Sequence, residues 1–296
     1  MIPELTQRNP FAGKSLYVYP DSSAAAAAEA TTGSNAAAFE TIAQTPAAIW
    51  LVPEAHPTAT VASFVSEVSA TAAELNQVAV FVIYGIPNRD CENQSAGGLS
   101  EEDYPGWVSA IGTGLSGSDS VVILEPDALS LAGECGNVDL RVAQVKDAAA
   151  RLIEADITMT AASKIYLDAG HSNWLEPSEM AVLLHRAGIN QVQGFATNVS
   201  NFNPTDDERA YSEQLSSLTG GAHYVIDTSR NGNGSNGEWC NPSGRALGQT
   251  PGAIADGSRH DANLWIKNPG ESDGQCNGGP RAGEWWSAGA LALVNG

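Results

Sequence analysis

Four aspartates in this chain stand where short apolar runs give way to polar loops, a placement suited to proton transfer. Asp90 closes Tyr84-Gly-Ile-Pro-Asn-Arg-Asp, Asp127 closes Val121-Val-Ile-Leu-Glu-Pro-Asp, and Asp168 closes Lys164-Ile-Tyr-Leu-Asp. Asp273 follows Trp265-Ile-Lys-Asn-Pro-Gly-Glu-Ser. A single aspartate after a strand is most often a helix N-cap. Four of them, with Trp50, Trp174 and Trp239 beside the same run ends, are hard to reduce to capping. Cleavage of the acetal linkage between two sugars needs such a set. One carboxyl must stay protonated to supply the leaving oxygen, and a second must deprotonate or orient a water on the opposite face. Like charges crowded in one cleft push one pKa upward, which provides a protonated acid near neutral pH. The tryptophan faces can stack on pyranose rings, with core packing as the alternative.

Such groups must be brought together by the elements that end on them. The apolar runs predict strands at Ser15–Tyr19, Ala47–Val52, Val78–Tyr84, Ser120–Leu124, Lys164–Leu167, Gly194–Thr197, His223–Ile226 and Asn263–Lys267. Between them fall helices at Ser23–Ala30, Thr58–Leu75, Pro105–Leu115, Arg141–Ala155, Pro177–Ala187, Asp206–Leu218 and Gly283–Val294. Val121 to Leu124 is apolar on both faces, as a buried parallel strand is. Strands alternating with helices imply βα units, and a barrel of about seven or eight parallel strands is the favoured closure. A doubly wound open sheet is the rival. In a parallel barrel the carboxyl ends of the strands share one rim, so the four aspartates converge there. No repeat, charge block or Pro-rich linker divides residues 1–296, so one catalytic domain is expected. Asn231–Gly237 reads as a long surface loop.

The chain carries 34 acidic residues against 14 basic ones, for a formal net charge of −20. That field repels nucleic acid and anionic lipid, so neither is expected as a partner, and a neutral polysaccharide fits better. Acidity that serves solubility alone is the alternative. The cysteines Cys91, Cys135, Cys240 and Cys276 have no zinc-site spacing. An even, sparse set reads as two disulfides made in an oxidising compartment, with four buried thiols as the alternative. Three pairings are possible; joining nearest neighbours closes loops worth about 4 kcal/mol each in the chain-entropy model. No apolar run reaches the length of a membrane span. No export signal precedes Pro3, so a secreted protein is expected to have lost that segment from this sequence.

At the level of motifs the chain resembles glycoside hydrolase family 6. The resemblance is carried by Tyr84-Gly-Ile-Pro-Asn-Arg-Asp-Cys91, Leu124-Glu-Pro-Asp-Ala-Leu129, Tyr166-Leu-Asp-Ala-Gly-His-Ser-Asn-Trp174 and Trp265-Ile-Lys-Asn-Pro-Gly-Glu-Ser-Asp-Gly274, and runs in order from about Asn9 to the C-terminus. It implies a distorted TIM-like (β/α) barrel with about seven parallel strands, and an inverting cellulase acting on β-1,4-glucans, of actinobacterial type. It implies Asp127 as general acid, Asp90 as the carboxylate that raises the pKa of Asp127, and Asp273 at the catalytic-base position. Asp168 is implied as a substrate-binding and electrostatic support, Tyr84 as the residue that helps distort the sugar ring, and Ser95 as the serine that positions water. The stretch Glu92-Asn-Gln-Ser95 is one residue shorter than in some relatives. Lys267 and Glu271 resemble residues that bond sugar hydroxyls, and Trp50, Trp174 and Trp239 resemble subsite platforms. His171 and Arg230 sit in matching motifs, with a purely structural histidine as the alternative for His171. The family pattern pairs Cys91 with Cys135 and Cys240 with Cys276. No metal and no cofactor are implied, and a secreted monomer is expected.

Two other functions stay open on the residues alone: a metal-dependent hydrolase using the clustered aspartates, and a glycan-binding protein without catalysis. Within the resemblance, exo-acting relatives roof the cleft with two long loops. Here the chain passes from Thr197 to Asp206, and from Gly274 to the expected helix at Gly283, with little to spare. About eight residues span at most roughly 26–29 Å. An open groove and internal cleavage are therefore expected, with partial cover by Asn231–Gly237 as the counter-reading.

Overall fold

The computed structural model describes residues 8–156 and 164–296. In chain order its elements are β1 (Ser15–Leu16), α1 (Ser23–Ala30), α2 (Ser34–Ala43), β2 (Ile49–Leu51), α3 (Thr58–Glu74), β3 (Gln77–Val78), β4 (Val80–Ile83), α4 (Tyr104–Leu115) and β5 (Val121–Leu124). There follow α5 (Val138–Ala155), β6 (Ile165–Asp168), α6 (Pro177–Ala187), β7 (Gly194–Thr197), α7 (Thr205–Leu218), β8 (His223–Asp227), β9 (Gly252–Ala253), β10 (His260–Leu264) and α8 (Ser287–Asn295). The main sheet runs β2-β4-β5-β6-β7-β8-β10-β9. It is parallel from β2 to β10, and β9 is a short antiparallel edge. The sheet curls into a distorted barrel. Its seam is crossed by Ala48 N donating to Trp265 O at 2.8 Å and by the Trp50 indole donating to Ile266 O at 2.8 Å.

Strand parity builds two apolar layers from single runs. On β4, Val80 and Val82 fill the barrel, while Phe81 and Ile83 meet the helices. On β5, Val121 and Ile123 point inward and Val122 and Leu124 outward. Each such side chain contributes about 1.5–3 kcal/mol on full burial, which is why these runs are apolar throughout. The helix ends obey local rules. Ser22 Oγ accepts from Ala25 N at 3.2 Å to cap α1. Pro177 opens α6, and Gly188 ends it with φ of 90°, a conformation only glycine adopts without strain. Among the described residues no helix is long and apolar enough to cross a membrane.

The seven parallel strands expected are present, but one expected strand belongs elsewhere. Ser15–Tyr19 forms only β1, which pairs with β3 in a separate two-stranded ribbon. The run expected as Val78–Tyr84 divides between that ribbon and β4. The last strand lies at His260–Leu264 rather than Asn263–Lys267, because its first residues are polar and answered inside the barrel. Asp261 accepts from Tyr166 Oη at 2.6 Å and Gln193 Nε2 at 3.0 Å, and pairs with His223 Nδ1 at 2.8 Å. Helix α2 has no counterpart in the sequence-based assignment, and α8 starts at Ser287 rather than Gly283.

Candidate active site

Because the strands are parallel, their carboxyl ends form one rim, and a cleft of about 1410 Å³ opens there. Tyr84, Asp90, Ser95, Asp127 and Asp273 all line it. Burial pushes the Asp127 carboxyl up to about 7, with the charges of Asp90 and Asp273 adding to the push. Burial also raises Asp90, while the Ser95 amide, donating to its Oδ2 at 2.7 Å, pulls it back. Both aspartates sit in left-handed backbone, with φ of 59° at Asp90 and 67° at Asp127. Such strain costs on the order of 1–3 kcal/mol per residue and persists where the surroundings over-determine it.

Asp273 is held rather than free. Arg230 Nη1 reaches its two oxygens at 2.9 and 3.0 Å, and Asn241 N donates to Oδ2 at 3.0 Å. The Arg230 guanidinium lies 4.3 Å over the Phe202 ring and also donates to Ser200 O. Tyr84 meets Trp50 edge to face at 5.2 Å, and burial raises its hydroxyl pKa well above the usual range. Lys267 Nζ stands 5.9 Å from the Trp50 ring, its pKa lowered by burial and supported by the charges of Asp273 and Glu271. Glu271 accepts from Ser23 Oγ of α1 at 2.7 Å.

The remaining expected residues spread along the same cleft. Trp239 is 55% exposed, so its face is available, while Trp50 and Trp174 are half-buried. His171 packs on Trp174 at 5.2 Å. Its Nδ1 accepts from Asn203 Nδ2 at 3.0 Å and Asn173 N at 3.2 Å, which leaves the proton on Nε2. Burial lowers His171 to about 4, so the ring is neutral through the physiological range. His171 is thus held by hydrogen bonds and also lines the cleft.

Asp168 lies behind the cleft rather than in it: it is 1% exposed and does not line the cleft, a place that suits the support expected of it better than direct contact with a substrate. Parity explains this: Asp168 follows Tyr166 on the inward face of β6. Its Oδ1 accepts from Asp127 N at 2.9 Å and from Gly170 N at 3.0 Å, so it supports Asp127 from below. Burial, then the charge of Asp127, drives its pKa well above the usual range.

Motif reading missed three further contributors. Asn241 holds Asp273, Arg89 donates to Tyr84 O at 2.8 Å and Ser95 O at 2.8 Å, and buried Asp227 accepts four backbone amides, from Ser200, Ser229, Ile266 and Lys267. Among the described residues no group of three His, Cys, Asp or Glu is arranged to hold a metal ion.

The disulfides are Cys91–Cys135 and Cys240–Cys276. The first ties the Asp90 loop to the loop after Asp127, and the second ties the Trp239 segment to the loop after Asp273. The sequence profile of glycosyl hydrolases family 6 matches residues 11–296. The chain belongs to that family. It is 45% identical over 281 residues to endoglucanase A of Cellulomonas fimi, covering 94% of this chain and 60% of that protein. It is 38% identical over 294 residues to endoglucanase 1 of Streptomyces halstedii, covering 95% and 88%. The structure of the endoglucanase Cel6 from Mycobacterium tuberculosis in complex with methyl-cellobiosyl-4-deoxy-4-thio-β-D-cellobioside superposes with a TM-score of 0.90 at 43% identity, over 97% of this chain and 99% of that one.

In this family 6 chain each bridge joins two rim loops, so both stability and activity should depend on them. The bridges have sequence separations of 44 and 36. Each is worth about 4 kcal/mol in the chain-entropy model. Reduction should lower the Tm by well over 5 °C and weaken turnover at temperatures where the protein remains folded. Calorimetry with and without a thiol checks this. An unchanged Tm would show that the bridges contribute nothing to holding the rim.

Proposed function

We propose that this protein is a secreted endo-1,4-β-glucanase that hydrolyses internal bonds of cellulose and related β-glucans with inversion at the anomeric carbon. The observation that carries the reading is Asp127, a carboxyl pushed up to about 7 in a cleft it shares with Asp90 and Asp273. At neutral pH a large fraction of Asp127 is protonated and able to donate to the leaving glycosidic oxygen. Burial keeps it so, and the charges of Asp90 and Asp273 add to the effect. Asp273, fixed by Arg230 and Asn241, is the candidate to draw the proton from water, with Ser95 positioning that water beside Asp90. Tyr84 bears on the ring at the cleaved bond. Asp168 holds the Asp127 amide from behind the cleft. Trp239, Trp50 and Trp174 serve as platforms for successive sugars, and Lys267, Glu271 and His171 bond their hydroxyls. The acidic surface suits a neutral polymer.

Internal cleavage follows from the rim loops. The β7–α7 connection is a tight turn, in which Asn198 bonds both Asn203 N and Asn203 O at 3.1 Å. The loop after Asp273 is longer than the sequence suggested, yet it folds onto itself: Gly283 N and Ser272 O are 2.9 Å apart, and Ser272 N donates to Glu284 O at 2.9 Å. Asn231–Gly237 does not line the cleft. The rim loops meet where Gln275 N donates to Gln94 Oε1 at 2.9 Å. One hydrogen bond worth about 1 kcal/mol is not a roof.

Proton NMR of the first product tests the stereochemistry, and an α-anomer is expected. An initial β-anomer would overturn inversion. Viscosity of carboxymethylcellulose, followed against reducing ends released, tests where the chain is cut. A steep early fall is expected; a slow fall with cellobiose as nearly the sole early product would mean exo-action.

A further inference from the structure

Tyr84 and Asp90 stand at the two ends of one short loop, and that loop is gripped from beneath. Glu125 directly follows β5, is 1% exposed and lies outside the cleft lining. Its Oε1 accepts from Gly85 N at 3.0 Å and from Tyr104 Oη at 2.9 Å, and its Oε2 accepts from Ile86 N at 3.2 Å. From the other side Arg141 of α5 donates to Pro87 O at 2.7 Å and Asn88 O at 2.9 Å. Glu125 has φ of 50° and Asp127 has φ of 67°, with Pro126 between them. The Glu-Pro-Asp turn is thus a stiff bracket with one carboxylate sunk into the loop amides and the other facing the cleft. A fully buried acid is expensive to keep and is retained only where its bonds answer the cost.

We propose that Glu125 is a positioning residue for the reaction: its carboxylate locks the Tyr84–Asp90 loop onto the strand end that carries Asp127, and so fixes Asp90 against Asp127. The inference rests on Asp127 being the acid. The push of Asp90 on Asp127 falls with distance, so a loosened loop weakens it. Tyr104 of α4, Arg141 of α5, and Arg89 and Tyr84 of the loop segment bear electrostatically on Glu125. Burial brings Glu125 to about 7 against the pull of the amides, of Tyr104 and of Arg89. In its ionised form Glu125 accepts all of these bonds; a neutral group of the same shape presents a donor to an amide that needs an acceptor.

Glu125→Gln tests this, because it keeps the shape and loses the second acceptor. Activity is expressed per folded molecule on a soluble β-1,4-glucan. The expected result is a fall in kcat of about 10- to 100-fold with KM changed less than about threefold, the size that misplacement by roughly an ångström produces. The alkaline pKa of the kcat/KM profile should also move down. Asp261→Asn, at the opposite end of the barrel, serves as a comparison that lowers the Tm and leaves the profile in place. A Glu125→Gln enzyme with lowered Tm, unaltered kcat and an unmoved profile overturns the proposal. If that variant does not fold, Tyr104→Phe removes one bond to Glu125 and should move the acid limb upward in pH. An unmoved profile in that variant also overturns it. Asp127→Asn in the same assays separates the two readings. Retained turnover there sinks the assignment of the acid, whereas an inactive Asp127→Asn beside an unaltered Glu125→Gln sinks only the present inference.

Discussion

Asp127→Ala is expected to lower turnover on polymeric β-1,4-glucan about 100- to 10,000-fold, the range attributed to a positioned general acid. A substrate whose leaving group is itself strongly acidic should lose far less, because its departing oxygen needs no proton. The contrast between substrates carries more information than the loss itself. Alanine leaves a hole in the cleft and removes a carboxyl beside Asp90 and Asp273, and either disturbance alone would slow both substrates alike. Only the loss of a proton donor discriminates by leaving-group pKa. The pH dependence runs the same way: with the donor at about 7, wild-type kcat/KM should fall as pH rises past that value. Equal losses on both substrate types would remove Asp127 from the role of acid.

The parts of this site that lay open in the sequence were those that end a visible run. Asp90, Asp127 and Asp273 follow apolar strands, and a parallel barrel sends all such ends to one rim. Asp168 follows a strand just as plainly, yet it turned out to be buried. Its side is fixed by parity within β6, and the apolar run Ile165-Tyr166-Leu167 does not say which face meets the cleft. Glu125 was hidden in full view inside the Glu-Pro-Asp motif, since a residue whose partners are backbone amides leaves no matching side-chain pattern elsewhere. Asn241 and Asp227 were hidden because main chain stands on one side of each contact: Asn241 reaches the Asp273 carboxylate through its own backbone amide, and Asp227 accepts the backbone amide of Lys267. In the fold, β10 was misplaced because Asp261 and His260 are polar residues in a fully buried strand, which hydrophobic patterning alone cannot read. Helix α2 was missed because its buried face rests on two large residues only, Phe39 and Ile42, at the end of an alanine-rich segment. A set of buried carboxylates, Glu125, Asp168 and Asp227, thus ties the rim loops to the strands, and it became visible only with the side chains in place.

Asp127→Asn should make the protein more stable above neutral pH while abolishing proton donation. Asp127 ordinarily titrates at 3.8, and in the folded protein near 7. Below about pH 4 both the folded and unfolded forms hold the proton, so the group contributes its full share of stability. As pH rises from there the unfolded chain loses the proton first, and stability falls until the folded form also ionises near 7. Above that pH the deficit is complete and constant. The interval from 3.8 to about 7, at about 1.4 kcal/mol per pH unit, sets a ceiling on the order of 4 kcal/mol. Because Asp127 is only half-buried and faces solvent in the cleft, about 1–3 kcal/mol is the reasonable expectation. Asparagine has no proton to lose and escapes this deficit. For a chain of this size that corresponds to a Tm higher than wild type by about 3–8 °C at pH 8. Near pH 4 the advantage should vanish, and the change of a carboxyl for an amide alone should remain. Thermal unfolding of both proteins across this range decides the matter. A Tm difference that does not vary with pH would mean that the folded protein does not hold the Asp127 proton, and the physical ground for calling it the acid would be lost with it.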